Sequence, residues 1–305
     1  MARAREQPFS EPVPRAGLSR PPPVDCSSSF HTFIIPCAAK KEQCVTSAYD
    51  AAAPTFDHYR APPNGVAEAI RSAVLASIGA SLRPRLLDLG AGSGRIGWPF
   101  VAARDDYVGV DLSLGMLRAF VRRSCQESGP MPRLVRADGQ RLPFRDSAFD
   151  AVMLIQLFGG MRGWRRLLEE ARRVLRPAGA LVLGRSVVPP DGVDAHMKRR
   201  LARVLDEMGV QADGAGVRED VQRWLEANAR AGACAVAAAW SAERTARGFL
   251  ERHRTGARFS ALPPPVKQTA LRELGAWASE AYGSLDAVFC EPHAFELRVF
   301  WFNKR

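Results

Sequence analysis

The sequence predicts an α/β fold: a doubly wound, mostly parallel sheet with an antiparallel C-terminal strand, plus a mainly helical lid. Three observations support this prediction. Short apolar runs alternate with amphipathic stretches over residues 85–185, a glycine loop follows the first run, and an alternating apolar segment lies near the C-terminus. Strands that alternate with helices form parallel sheets with both faces covered. We therefore expect one α/β domain that carries an embellishment.

The N-terminal region changes character near Tyr49. Residues 1–44 combine Pro21-Pro22-Pro23 with Ser27-Ser28-Ser29 and scattered arginines, a composition typical of a disordered extension. After Tyr49, apolar residues recur at helical spacing, as at Val66, Ile70 and Val74. We expect the domain to span 45–305 and to begin with a helical cap at 46–84.

The central region, residues 85–185, is the predicted cofactor-binding core. Its pattern indicates strands at 85–89, 107–110, 133–136, 149–154 and 180–183, with helices at 96–103, 114–123 and 162–175. After Pro189-Pro190 the alternation fades, and we expect a helical substrate or lid region at 186–293. In the last segment, 294–302, Phe295 and Leu297 alternate with polar neighbours, which predicts a strand.

Composition limits the classes of partner. No apolar run approaches the roughly 18 residues needed to cross a bilayer, so we expect a soluble protein without a membrane partner. The six cysteines form no Cys-x-x-Cys pair, which predicts a reduced, cytoplasmic protein without a metal site. The net charge of +11 invites a nucleic-acid partner, but the basic residues are scattered along the chain, which disfavours that partner and leaves it open.

The glycine loop Asp88-Leu89-Gly90-Ala91-Gly92-Ser93-Gly94 lies between a predicted strand and a helix, where backbone N–H groups meet nucleotide-like ligands. The spacing of Gly92, Gly94 and Gly97 also fits a dinucleotide pattern, so a nicotinamide-dependent oxidoreductase is a rival. Three acidic positions add to the loop. Asp88 needs a polar or cationic partner in its apolar strand, Asp111 can accept from ribose hydroxyls, and Asp138 can accept from an adenine amine.

Five motifs occur in a fixed order: Leu87–Gly94, Val110–Ser113, Ala137–Gln140, Phe149-Asp150 and Leu168–Gly179. This set resembles the class I S-adenosylmethionine-dependent methyltransferases, especially the group of the ubiquinone and menaquinone methyltransferases. The resemblance implies a Rossmann-like fold with S-adenosylmethionine as cofactor. Family members often carry histidines shortly after the fourth strand, where this chain has Gly159-Gly160.

The resemblance also implies roles for individual residues. The loop glycines would approach the methionine part of the cofactor, Asp88 its amino group, Asp111 the ribose and Asp138 the adenine amine, with Leu112 and Met116 against the adenine ring. Tyr49 and Arg60 would belong to an N-terminal helix that closes over the cofactor. The full set is Tyr49, Arg60, Asp88, Gly90, Ala91, Gly92, Gly94, Asp111, Leu112, Met116, Asp138, Gly139 and Gln156.

The expected reaction is methyl transfer to a small molecule. Alignment of acceptor and methyl group supplies much of the rate of such a displacement, and where a base is needed the candidates are His58, His196 and His253. The lid at 241–283 mixes aromatic residues with arginines, which would suit a partly apolar, anionic acceptor and equally a solvated helical face. An RNA methyltransferase and a non-catalytic cofactor-binding protein stay open as alternatives.

Overall fold

The computed structural model describes residues 34–36, 47, 49–79, 83–158, 161–210, 216–254, 259 and 262–303. Within this part of the chain, one eight-stranded sheet is flanked by helices. The strands are β1 (Ile34–Pro36), β2 (Arg85–Leu89), β3 (Asp106–Asp111), β4 (Arg133–Arg136), β5 (Phe149–Ile155), β6 (Leu175–Val187), β7 (Ala229–Arg244) and β8 (Phe289–Phe302). Their order across the sheet is β1-β4-β3-β2-β5-β6-β8-β7.

The helices connect these strands and cover both faces. They are α1 (Phe56–Arg60), α2 (Val66–Ser77), α3 (Trp98–Ala102), α4 (Leu114–Gln126), α5 (Trp164–Val174), α6 (Val193–Glu207), α7 (Val217–Asn228), α8 (Ala246–Arg254) and α9 (Pro264–Tyr282). Strands β1 to β6 pair in parallel, and β8 pairs antiparallel with both β6 and β7. The predicted doubly wound sheet and its antiparallel C-terminal strand are confirmed.

The two faces of the sheet bury separate clusters, as the period of two along a strand requires. Leu86 of β2 packs on one face with Phe100 and Phe120. Leu87 and Leu89 point to the other face, into a second cluster that also holds residues of α5 and α7. A third cluster lies apart from the sheet, where α6, α8 and α9 pack on one another. That third cluster belongs to the predicted lid.

Two regions differ from the expectation. The described part of the segment 186–293 contains β7, a 16-residue strand of the main sheet, in addition to α6, α7, α8 and α9. Its alanine-rich sequence lacks clear alternation, so the strand depends on its long-range pairing with β8. Of residues 1–44, expected to be disordered, the described part is Ile34–Pro36, which pairs in parallel with β4; the remainder lies outside the described residues.

Smaller differences concern the ends of elements and the cysteines. The helix predicted at 96–103 is shorter, at Trp98–Ala102, because the turns of the glycine loop continue to Gly97. The strand predicted at 180–183 extends over Leu175–Val187. Cys125 forms a disulfide bond, contrary to the expectation that every cysteine is reduced. In the described ranges, no helix combines the length and apolarity that a membrane crossing requires.

Candidate functional site

The glycine loop lies at the carboxyl end of β2 and is bonded to the neighbouring strand β3. The backbone N–H groups of Gly90 and Ala91 both donate to the carbonyl oxygen of Val110, at 2.8 and 3.0 Å. Gly90, Gly92 and Gly94 have φ of 82°, 58° and 76°, in the left-handed region that favours glycine. A Cβ at Gly94 would lie 2.2 Å from the Phe120 ring, so only glycine fits there.

Asp111, the last residue of β3, joins the loop to the start of α4. Its carboxylate accepts from the backbone N–H of Gly92 at 2.9 Å and of Ser113 at 2.8 Å. Burial raises the pKa of Asp111, although these two hydrogen bonds act to lower it. A partly desolvated carboxylate at a strand end, beside loop N–H groups, is the arrangement that binds ribose hydroxyls in dinucleotide folds.

Asp88 has a different environment from the one predicted. Its side chain lies on the face of the sheet below the loop and is 3% exposed. One carboxyl oxygen accepts from the Tyr107 hydroxyl at 2.7 Å, and the other has no hydrogen-bond partner. Burial raises the pKa of Asp88 to about 7. The predicted contact with a cofactor amino group would therefore require this buried carboxyl to become accessible.

The remaining predicted contacts lie along the same edge. Asp138 is exposed just beyond β4, and its carboxylate accepts from the backbone N–H of Gln140 at 2.9 Å. Gly139 and Leu112 are half-buried, while Met116 in the first turn of α4 is buried. The backbone N–H of Met116 donates to the Ser113 hydroxyl, which caps the helix. Acceptor atoms thus follow both β3 and β4, where the prediction places ribose and adenine.

The N-terminal segment packs over this edge through two acidic residues that the sequence analysis did not single out. Asp50 accepts from the Ser113 hydroxyl at 2.6 Å and from the Gly115 N–H at 2.9 Å. Asp57 accepts from the Ser93 hydroxyl of the glycine loop and pairs with Arg123 of α4 at 2.5 Å. These contacts place the predicted cap directly on the loops that follow β2 and β3.

Tyr49 and Arg60 extend the cap at its two ends. Tyr49 is 38% exposed, and its ring meets the Phe56 ring edge-on at 6.0 Å. The Arg60 guanidinium lies over the same Phe56 ring, 5.3 Å from its centroid, and donates to the backbone carbonyl of Arg252 on α8 at 2.9 Å. Arg60 therefore connects the cap to the helical lid.

A polar chain continues from the loop to the ends of β5 and β6. Arg95, next after Gly94, donates to the backbone carbonyl of Arg60 at 2.7 Å and to the Gln156 side chain. Gln156 immediately follows β5 with φ of 55°, and its amide donates to the Ser186 hydroxyl of β6 at 2.5 Å. Gln156 was predicted as a cofactor contact, whereas Arg95 was missed although it adjoins the motif.

The histidine candidates occupy three separate places. His58 is exposed on α1, and His196 lines a groove between α6 and α9 with Arg203 and Trp277. His253 is half-buried, bonded to the Phe249 carbonyl at 2.9 Å. Burial lowers the pKa of His253 to about 4, so this ring is neutral at pH 7 and is a weak base. The predicted Gly159-Gly160 position lies outside the described residues.

The residues present fit an adenosyl cofactor along this edge. Space is open around Gly92, where a Cβ would meet nothing closer than the Gly90 carbonyl oxygen at 3.8 Å. The loop offers backbone donors, and the carboxylates of Asp111 and Asp138 offer acceptors on the two adjacent strands. Among the described residues, no cluster of three His, Cys, Asp or Glu side chains could hold a metal ion.

Comparison with known proteins decides the family. Residues 87–183 match the model described as "Methyltransferase domain". Over 144 residues the chain is 31% identical to phosphatidylethanolamine N-methyltransferase of Cereibacter sphaeroides, covering 47% of this chain and 70% of that protein. The chain belongs to the class I S-adenosylmethionine-dependent methyltransferases. The rival assignment to a nicotinamide-dependent oxidoreductase family is thereby replaced.

Other matches agree with this methyltransferase family. The chain is 32% identical over 154 residues to demethylmenaquinone methyltransferase of Renibacterium salmoninarum, which covers 50% of this chain and 63% of that protein. It therefore spans less than two-thirds of the length of this curated relative. The solved structure of the YcgJ protein from Bacillus subtilis shares the fold, with a TM-score of 0.50, 18% identity and coverage of 76% of this chain and 98% of that one.

Proposed function

We propose that this methyltransferase-family chain binds S-adenosylmethionine along the carboxyl ends of β2, β3 and β4 and transfers its methyl group to a small molecule. The observation that carries the proposal is the junction of the glycine loop with Asp111, where the Gly92 N–H and the Asp111 carboxylate meet at 2.9 Å. The bound cofactor would supply a methyl group activated by the positive sulfur. The chain supplies the orientation.

The acidic side chains of the site have different proposed roles. Asp111 and Asp138 would accept hydrogen bonds from the ribose and the adenine amine, while Asp50 and Asp57 hold the cap over the loops. Asp88, which accepts a hydrogen bond from the Tyr107 hydroxyl, would support the glycine loop from the sheet face beneath it. A closed cap excludes water, and a fixed acceptor orientation lowers the barrier to an in-line displacement.

The relatives indicate the class of acceptor. Their names specify a demethylated menaquinone in one case and phosphatidylethanolamine in the other. We extend this breadth to the present chain and leave open whether the methylated atom is oxygen, nitrogen or carbon.

The proposal is tested by turnover. The purified protein is incubated with S-adenosylmethionine carrying a labelled methyl group and a panel of demethylated quinols, phenols, amines and amino-phospholipids, with RNA offered as a separate acceptor. We expect label in at least one small acceptor, with formation of S-adenosylhomocysteine in equal amount, and loss of both in Asp111→Ala. Asp206→Asn, an exposed carboxylate on α6, is the control that should retain activity. Label that appears only in RNA, or in no acceptor, would overturn the small-molecule assignment.

A further inference from the structure

Basic side chains from five parts of the chain converge beyond the carboxyl ends of β5 and β6. We call them the cation cluster: Arg60 of α1, Arg95 of the glycine loop, Lys198 of α6, Arg244 of β7 and Arg252 of α8. The location follows from the contacts of Arg95, which bonds to Gln156 after β5 and to the backbone of Arg60. Arg60 in turn bonds to the backbone of Arg252.

Asp194, in the first turn of α6, neutralises part of this charge. Its carboxylate, 11% exposed, pairs with Arg252 and lies 3.5 Å from the Nε of Arg244. The nearby Glu291 is already engaged, because it accepts from the Val193 N–H at 2.5 Å and lies 3.3 Å from the His293 ring. Two cations thus share one carboxylate.

The other three cations have no acidic partner among the described residues. Arg60 and Arg95 donate to carbonyl and amide oxygens, and the Nε of Arg60 is buried without a hydrogen-bond partner. Lys198 follows Asp194 by four residues, one turn along the same face of α6, and its exposed side chain makes no hydrogen bond to the described part of the chain. Across the described ranges, none of these three side chains lies within 4.0 Å of a carboxylate oxygen.

Burial and, to a lesser degree, the charges of neighbouring cations lower the pKa values of Arg95, Lys198 and Arg252. Burial lowers the pKa of Arg95 to about 10, and the charge of Arg60 lowers it further. Although the Lys198 side chain as a whole is exposed, partial desolvation of its ammonium lowers its pKa, with Arg252 and Arg60 adding to the effect and Asp194 opposing it. Several like charges held together and partly desolvated are unfavourable unless a counter-charge joins them. An anionic ligand would supply that counter-charge.

We propose that the cation cluster binds an oxyanion, a carboxylate or phosphate group of the methyl acceptor, with Arg60 and Lys198 as its direct ligands. Arginine donors match both groups in geometry. The cluster adjoins the glycine loop through Arg95, so an acceptor anchored here would present its nucleophile towards the carboxyl edge of the sheet. This assignment of substrate class rests on the proposed function.

The test measures anion binding separately from catalysis. Inorganic phosphate is titrated into the full chain and followed by the broadening of its phosphorus resonance, and benzoate is titrated in a parallel series followed by its proton resonances. Chloride keeps the ionic strength constant. The lead variant is Lys198→Gln, since this exposed side chain can change without loss of a hydrogen bond. Arg60→Gln is the second, and Arg203→Gln is the matched control, an exposed cation on the same helix as Lys198.

We expect saturable binding of at least one probe to the wild-type protein, weakened at least fivefold in Lys198→Gln and in Arg60→Gln and unchanged in Arg203→Gln. Thermal unfolding of each variant confirms that it folds. Absence of saturation for both probes, or equal weakening in all three variants, would overturn the proposal. S-adenosylmethionine affinity is measured on the same samples. Cofactor binding without anion binding refutes this inference alone, while anion binding without cofactor binding refutes the proposed function.

Discussion

The proposed cofactor edge, at the carboxyl ends of β2, β3 and β4, and the proposed acceptor side, at the cation cluster, are built on different principles. At the cofactor edge, neighbouring residues in sequence form the site: the Gly90–Gly94 loop, Asp111 with Ser113, and Asp138 with Gln140. On the acceptor side, the decisive contacts join distant segments, as when Arg60 meets Arg252 or Asp194 meets Arg244. Backbone geometry specifies the first region and charge placement the second. The two regions should therefore respond differently to mutation.

The largest effect is expected from Gly94→Ala. The added Cβ would lie 2.2 Å from the Phe120 ring at a left-handed φ of 76°, so the buried helix α4 would have to shift. We expect a loss of about 3 kcal/mol in the free energy of unfolding, measured in urea, together with loss of cofactor binding. Gly92→Ala is the matched control. Its Cβ would meet open space, so we expect a loss of only about 1 kcal/mol in unfolding free energy, caused by the left-handed φ alone. Equal losses of unfolding free energy in the two variants would contradict the role of the Gly94–Phe120 contact in the packing of the loop.

Asp194→Asn should have the next largest effect, on the acceptor side. The change leaves Arg244 and Arg252 without their shared carboxylate in a partly buried region. We expect a loss of about 2 kcal/mol in unfolding free energy, reduced from the fully buried case because both partners keep some exposure to water. Asp206→Asn on the same helix should change little. If Asp194→Asn is as stable as the wild type, charge pairing does not hold this region together.

Asp138→Asn tests the outer part of the cofactor edge. Its exposed carboxylate would lose a charge-assisted hydrogen bond to the adenine amine, which is worth about 1.5 kcal/mol. We expect S-adenosylmethionine to bind roughly tenfold more weakly, with unchanged stability. Calorimetric titration measures the affinity, and exposed Asp146→Asn in the following loop is the control. Undiminished affinity would remove Asp138 from the site.

Taken per pH unit, the smallest effect is a change of stability with pH. Burial raises the pKa of Asp88 to about 7, whereas the unfolded chain releases this proton near pH 4. Between these values the folded state holds the extra proton, so the contribution of Asp88 to stability falls as pH rises, by about 1 kcal/mol per pH unit. Asp88→Asn should remove that slope, as seen by urea unfolding at pH 4.5, 5.5 and 6.5. An identical slope in the variant would contradict a protonated Asp88.

The same contrast explains what the sequence could predict. The five core strands and the positions of Asp111 and Asp138 follow from local patterns, because each polar residue ends an apolar run. The strand β7 was missed, since its alanines show no alternation and its partners in β8 lie between 45 and 73 residues away along the chain. The sequence also did not predict the buried hydrogen-bond partner of Asp88. Tyr107 reaches it from the neighbouring strand, and no local spacing records that contact.

The missed residues of the site have a common cause. Asp50, Asp57 and Arg95 act through partners that lie between 35 and 66 residues away, as in the bonds Arg95–Arg60 and Arg123–Asp57. The only signal in the sequence was acidic residues within the segment that resembles the family's N-terminal helix, and an arginine next to the glycine loop. The partners of these three side chains follow only from the fold.

The central claim is that S-adenosylmethionine binds where the glycine loop meets Asp111, and calorimetric titration tests it most directly. The wild-type protein, Asp111→Ala and the exposed control Asp206→Asn are each titrated with S-adenosylmethionine and, separately, with NADH. The account predicts saturable, one-to-one binding of S-adenosylmethionine to the wild type and control, weakened about 100-fold in Asp111→Ala by the loss of charge-assisted hydrogen bonds, and no binding of NADH. Equal affinity in Asp111→Ala, or preference for NADH, would contradict it.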